Sequence, residues 1–273
     1  MLRLFAPRPA RIERSRTLLA LPDGRQVTVQ WLRHPRARRM RLAVDERGAR
    51  LTLPPRASER AALAFLGEHR HWLAQQLDAL GPPIAPLRPW HSTELPLRGR
   101  ALPVRWQRAA STRLQLDAGG ESLRFDVRGE GIDGHGHAAP AVRRALRDFH
   151  EAQGRADVAR WLPAYLPGLP RAPSRIVFKS TSSQWGSLSA SGVMALDLAL
   201  LLAPPPAFEY VLVHELCHLL HADHSPAFWR EVRARCPHWR QQRQWLNRHG
   251  RGLKAHWRAL VLAPDAGAAL PGA

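Results

Sequence analysis

The segment from Pro204 to Leu220 constrains this chain more than any other. It reads Pro-Pro-Pro-Ala-Phe-Glu-Tyr-Val-Leu-Val-His-Glu-Leu-Cys-His-Leu-Leu. The prolines at 204–206 introduce a helix expected over 207–220. Its flanks Tyr210-Val211-Leu212-Val213 and Leu216, Leu219 and Leu220 are apolar, so the helix seeks burial inside a larger core. Yet it carries His214, Glu215 and His218. Burying a carboxylate beside imidazoles costs several kcal/mol unless something compensates, and a cation does so.

Two histidines at i and i+4 lie one above the other on a helical face, so both rings can reach one ion. Zinc takes nitrogen ligands at about 2.0–2.1 Å in a roughly tetrahedral shell, with one position left for water where the site is catalytic. Glu215 follows His214 directly and can lean toward that water without ligating, as a general base does. Two residues compete for third ligand. His221 stands at i+7 from His214, which on a straight helix is about 10 Å along the axis. His224 follows a break at Ala222-Asp223 and can fold back, so the expected shell is His214, His218, His224 and water, with His221 second to these or on the surface.

The rest of the chain sets the frame. It has 273 residues, enough for one large domain or two small ones, with 45% hydrophobic and 23% charged residues, which excludes a wholly disordered or fibrous chain. Its formal charge is +19, and of 41 Lys+Arg only residues 179 and 254 are Lys. Such an Arg-rich surface attracts polyanions, which admits nucleic acid or a nucleotide as partner but cannot name one. Cys217 and Cys236 are the only cysteines, so no disulfide scaffold exists, and Cys217 reads as a small core residue. The longest apolar region, 193–213, is broken by Asp197, the prolines and Glu209, so no membrane span is expected and the default location is cytoplasmic.

Along the chain, residues 1–16 read as a mobile basic arm. Residues 17–130 read as a β-rich region with one helix over 57–80, N-capped by Ser58 and stopped by Gly81-Pro82-Pro83. A hairpin is expected around Asp45–Gly48. Residues 131–139 are a Gly-rich linker whose His135 and His137 read as a solvated loop. A catalytic region follows over 140–250, with Pro140 in the first turn of a helix, and Gly250 is read as a helix stop before a C-terminal tail, 251–273, expected to be frayed over 261–273.

Between these lies a hairpin expected over 182–197, turning near Ser189–Gly192. An edge strand at Trp185, Gly186 and Ser187 could hold an extended peptide by main-chain hydrogen bonds, which makes these three candidate substrate-binding residues. The competing reading has Trp185 capping the core and Gly186 marking a bulge. Phe228, Trp229 and Trp239 have helical spacing and read as packing.

The stretch His214-Glu215-Leu216-Cys217-His218-Leu219-Leu220-His221-Ala222-Asp223-His224-Ser225-Pro226-Ala227-Phe228-Trp229, preceded by the segment 183–189, resembles the YgjP-like zinc metallopeptidase family, itself related to the SprT-like and WLM proteases. The resemblance extends to residues 33–73 and covers roughly 20–250. It implies an α+β fold: a β-rich N-terminal half with hairpins, then a zincin-like helical half carrying the motif on its active-site helix. It implies one Zn2+ per chain and places the family's downstream histidine on His224, with Asp223 where the family has Asn. The family's Trp-Gly-Ser-Cys segment appears as Trp185-Gly186-Ser187-Leu188, with Gln184 where a basic residue is common. The function expected is a zinc-dependent metallohydrolase, foremost a metallopeptidase on peptide or protein substrates, using a zinc-bound water and Glu215 as base. The alternatives are a nucleoside triphosphate pyrophosphatase or phosphohydrolase, and a nucleic-acid-associated protein with structural zinc.

Overall fold

Alternating apolar and polar residues in the first third make a half-buried sheet, and the computed structural model shows it. The structure describes residues 13–45, 48–78, 86–129, 138–181 and 184–262. The chain divides into two units, Met1–Pro82 and Pro83–Ala273. In the first, β1 (Glu13–Ala20), β2 (Gln26–Arg33), β3 (Arg41–Asp45) and β4 (Gly48–Leu53) form one sheet in the order β1-β2-β4-β3. β3 and β4 make the expected antiparallel hairpin, whereas β2 runs parallel to β4. Val29, Trp31, Leu51 and Leu53 project from one face and are buried with Ala62, Leu66 and Leu73 of two helices.

Those helices are α1 (Glu59–Glu68) and α2 (Arg70–Asp78), where the sequence reading has one helix. Ser58 caps α1, its hydroxyl accepting from the Ala61 N–H. The break falls at His69, whose ring stacks on Phe65 and whose Nδ1–H donates to the Phe65 carbonyl at 2.8 Å. The Phe65 carbonyl also accepts the His69 backbone N–H at 3.3 Å, a donor shared with the Leu66 carbonyl at 3.2 Å. A second correction concerns the arm: Glu13–Arg16 pair with Gln30–Arg33 as part of β1. Their side chains are exposed at the sheet edge, so backbone pairing left no apolar period to read. Residues 1–12 of the arm lie outside the described residues, as does the expected linker up to residue 137 with His135 and His137.

The second unit begins with another sheet, β5 (Glu94–Leu97), β6 (Arg100–Arg108), β7 (Arg113–Leu116) and β8 (Leu123–Val127), ordered β5-β6-β8-β7. Its apolar face, with Leu95, Leu102 and Phe125, shares one core with Val142, Leu146 and Phe149 of the long helix α3 (Ala138–Tyr165). The division therefore falls near residue 82, not at the Gly-rich segment near 130. The β5–β6 turn fixes this arrangement. Arg98 and Gly99 both have positive φ, as the tight hairpin turn requires, and their N–H groups donate to Leu201 and Leu202 carbonyls. The Arg98 guanidinium forks onto buried Asp157 of α3 at 2.9 and 3.0 Å.

A third sheet, β9 (Arg175–Lys179), β10 (Gly186–Leu188) and β11 (Val193–Asp197), has the order β10-β11-β9, so β10 is an edge strand. β10 and β11 form the expected hairpin, with Gly192 at φ +83° in its turn. A buried 3₁₀ turn (Leu198–Leu202) leads to α4 (Pro205–Cys217), α5 (Pro226–Arg235) and α6 (Trp239–Val261). The last helix corrects the expected tail. It runs through Gly250 and buries Lys254, Ala255, Trp257 and Leu260, with the Trp257 indole N–H donating to Ser180 at 2.8 Å. Gly250 is there for close approach, since a Cβ would lie 2.6 Å from the Trp185 ring. Among the described residues no helix is long and apolar enough to cross a membrane.

Candidate metal centre

The apolar sequence of α4 buries it on nearly every side, and the helix stops at Cys217, earlier than its pattern suggests. The His218, Leu219 and Leu220 N–H groups bond three residues back, to Glu215, Leu216 and Cys217, which tightens the last turn. The chain then reverses. The His218 Nδ1–H donates to the His221 carbonyl at 3.0 Å, which fixes the ring's orientation and leaves Nε2 for another partner. Asp223 accepts the Ser225 N–H at 3.3 Å, an Asx turn that an Asn would make equally, and Ser225 caps α5 by accepting from the Phe228 N–H. This turn returns His224 to α4.

His214, His218 and His224 thereby converge. Their ring centroids stand 5.1, 5.0 and 4.9 Å apart, and one ligating atom from each lies within 4.8 Å of the others. Nε2 of His214 and Nε2 of His224 are 3.1 Å apart. Two nitrogens on one tetrahedral zinc stand about 3.3 Å apart, so this donor set suits such an ion after small ring rotations. Phe228 stacks on His218 and meets the other two rings edge-on, while Trp229 stacks on His224 and on Trp239. These aromatics do pack, as their spacing implies, and what they pack is the imidazole cluster. Nδ1 of His214 is buried with no hydrogen-bond partner among the described residues, so that ring is oriented by packing and by its Nε2 contact with His224. Burial, reinforced by the two neighbouring histidines, pushes His214 down to about 3, which keeps it neutral and able to ligate.

Glu215 is 5% exposed, and burial alone pushes its carboxyl up to about 7. No side chain among the described residues bonds it. It opens instead into a cleft of about 290 Å³ that also contains His214, Trp185 and Gly186. Of the expected substrate residues, Trp185 and Gly186 reach this cleft, while Ser187 is exposed on β10 and does not line it. The ring of His221 is outside the cluster, and only its carbonyl serves the site. Cys217 is fully buried and its thiol is pushed up to about 11, which makes it inert packing.

Gly186 is the closest neighbour in this arrangement. A Cβ there would stand 2.6 Å from Cγ and Oε1 of Glu215. Gly186→Ala therefore pushes the carboxylate aside while leaving the three histidines untouched. The expected result is an activity loss of up to about 10²-fold, as for a roughly 1 Å misplacement of a reacting group, with metal content unchanged. Peptide turnover and elemental analysis on the same preparation check it, and a parental rate would show that the contact is slack.

Sequence reasoning missed Tyr210, Arg243, Asn247 and Lys254. Tyr210 precedes His214 by one turn on the same face, a spacing that could have been noticed. The other three come from α6, whose approach to the site has no local signal.

No curated protein matches this chain. A solved structure that resembles part of it is the crystal structure of the metallopeptidase zymogen of Pyrococcus abyssi abylysin, with 23% identity over 35% of this chain and 96% of that one, at a TM-score of 0.28. The family model for the YgjP-like metallopeptidase domain matches residues 38–249, a span that encloses β10, the α4 motif and the returning His224. By that match the chain belongs to the YgjP-like metallopeptidase family, and it is a metallopeptidase.

Proposed function

We propose that this metallopeptidase holds one zinc ion on His214, His218 and His224 and uses Glu215 as its general base. The observation that carries the reading is the convergence of three imidazoles within 4.8 Å beside a buried carboxylate that no side chain among the described residues engages. When bound, the ion supplies Lewis acidity toward a peptide carbonyl and acidifies water. Glu215 takes the proton from the attacking water at a carboxylate oxygen and returns it to the departing amine. A carboxyl pushed up to about 7 is matched to both halves of that task. β10, an edge strand whose Gly186 touches Glu215, offers its free backbone groups to an extended peptide and so brings a scissile bond to the base.

The donor set also weighs against the rivals. A phosphoanhydride hydrolase working with magnesium would want several carboxylates, whereas among the described residues Glu215 is the one carboxylate lining this cleft. A structural zinc closes its shell with four protein ligands, and among the described residues three histidines converge, which leaves a position open. Nothing in the site calls for nucleic acid.

Elemental analysis of purified parent and variants tests the ligand set. The parent is expected to carry one zinc per chain, His214→Ala, His218→Ala and His224→Ala to lose it, and His221→Ala to keep it. Peptide cleavage by the parent should stop on chelation and return with zinc. Full zinc content in His224→Ala would sink the assignment.

A further inference from the structure

Beyond the metal centre, the same cleft carries a second set of polar groups. Tyr210 comes from α4, and Arg243 and Asn247 stand one turn apart on one face of α6. Tyr210 is only 6% exposed, yet its hydroxyl bonds no described residue. Arg243 lies with its guanidinium carbon 5.0 Å from the centre of the Trp229 ring, the ring that stacks on His224. A guanidinium held by its face keeps its edge donors free. Among the described residues no carboxylate pairs with Arg243, and Glu215, in the same cleft, forms no ion pair with it. The cleft thus holds an aromatic-backed cation, a phenol hydroxyl and an amide, none with a hydrogen-bond partner among the described residues, next to the carboxylate proposed to activate the attacking water.

We propose that Arg243, assisted by Asn247 and the Tyr210 hydroxyl, receives a carboxylate of the substrate, so that the enzyme prefers peptides with an acidic group beside the cleaved bond. The inference rests on the peptidase reading above and deepens it by naming the substrate class. A planar fork with parallel N–H donors matches a carboxylate bidentately, which a lysine would not do. The ring beneath Arg243 restrains this exposed side chain before substrate arrives, so less ordering remains to be done on binding. The chain's overall charge of +19 draws anions to the whole surface, but among the described residues Arg243 is the cation that lines this cleft. The carboxylate has two sources, an acidic side chain or the free C-terminus of a short peptide.

The experiment uses the zinc-loaded full chain and amidated fluorogenic peptides in which one Glu, Gln or Lys is moved through each position of a neutral sequence. The same neutral sequence with a free C-terminus is run beside them. At one position Glu is expected to exceed Gln by about tenfold in kcat/KM, the size of one charge-assisted hydrogen bond, and Lys to fall below both. Arg243→Gln then lowers the Glu peptide toward the Gln peptide, and Arg243→Glu turns the preference toward Lys. An advantage confined to the free C-terminus identifies that carboxylate as the source. Equal loss on every peptide in Arg243→Gln overturns the proposal, because it would place Arg243 on charge developing at the scissile carbonyl. A parent indifferent to Glu overturns it as well. Absence of cleavage in any peptide counts against the peptidase reading alone, since recognition is also read by fluorescence anisotropy on the Glu215→Gln variant. Equal binding of Glu and Gln peptides there sinks the carboxylate site.

Discussion

Glu215→Gln is expected to lower peptide turnover by about 10²–10⁴-fold while the protein keeps its zinc and its fold. The amide has the shape of the carboxylate, so the helix and the three histidines need not move. What it lacks is the basic oxygen that takes the proton from water. Because Glu215 is 5% exposed and no described side chain bonds it, the parent holds a desolvated carboxylate without compensation from protein groups. Removing that charge relieves a cost. The metal-free variant should therefore resist denaturant as well as the metal-free parent, or better. Turnover, zinc content and a denaturation midpoint on one preparation test the three parts together. Hydrolysis at the parental rate would remove Glu215 from the role of base. A lower midpoint in the metal-free variant would mean that the carboxylate has a partner the geometry does not display.

The cluster proposed to carry this chemistry was legible because it is local. His214, Glu215 and His218 fall within one turn of helix, and His224 sits just past a break that its own neighbours, Asp223 and Ser225, produce by side-chain bonds to nearby backbone. The hairpin carrying Gly186 was legible for the same reason, its turn marked by Gly192 at positive φ. What stayed hidden depends on residues far apart. Gly250 has the sequence signature of a helix stop, yet it lies inside α6 because Trp185, sixty-five positions earlier, needs the space of its missing Cβ. No division falls at the Gly-rich segment, which looks like a boundary, because Arg98 and Asp157 clip the second sheet to α3 within one unit. β1 escaped detection because an edge strand bonded through its backbone needs no apolar side chains.

The largest of these hidden dependences is Lys254, and Lys254→Met is expected to destabilise the protein by about 3–5 kcal/mol, the usual consequence of removing one partner of a buried ion pair. The chain uses Arg almost everywhere, so a lysine here is a departure with a geometric reason. Lys254 is 8% exposed, and the three N–H donors of its compact ammonium face four acceptors, Asp197 at 2.9 Å, the Gln184 carbonyl at 2.8 Å and the carbonyl and hydroxyl of Thr181 at 3.1 Å. It also lies 4.4 Å from the centre of the Trp185 ring. A planar guanidinium cannot point donors at acceptors clustered this way, so Lys254→Arg should recover little. Burial pulls the Lys254 pKa down while Asp197 holds it up, so the charge persists because of that carboxylate. Asp197 is 1% exposed and would be left with only the N–H groups of Thr181 and Ala199 and the Thr181 hydroxyl. Adding Asp197→Asn to Lys254→Met should then cost less than the two single changes summed, because the stranded charge disappears. The site feels the loss too, since Lys254 anchors the carbonyl of Gln184 and the ring of Trp185, which set Gly186 against Glu215. In Lys254→Met that remains folded at low temperature, kcat/KM should fall while zinc content holds. Denaturant unfolding of the three variants measures the coupling, and a Lys254→Met protein within about 1 kcal/mol of the parent would show that the ammonium is not what binds α6 to the loop before β10.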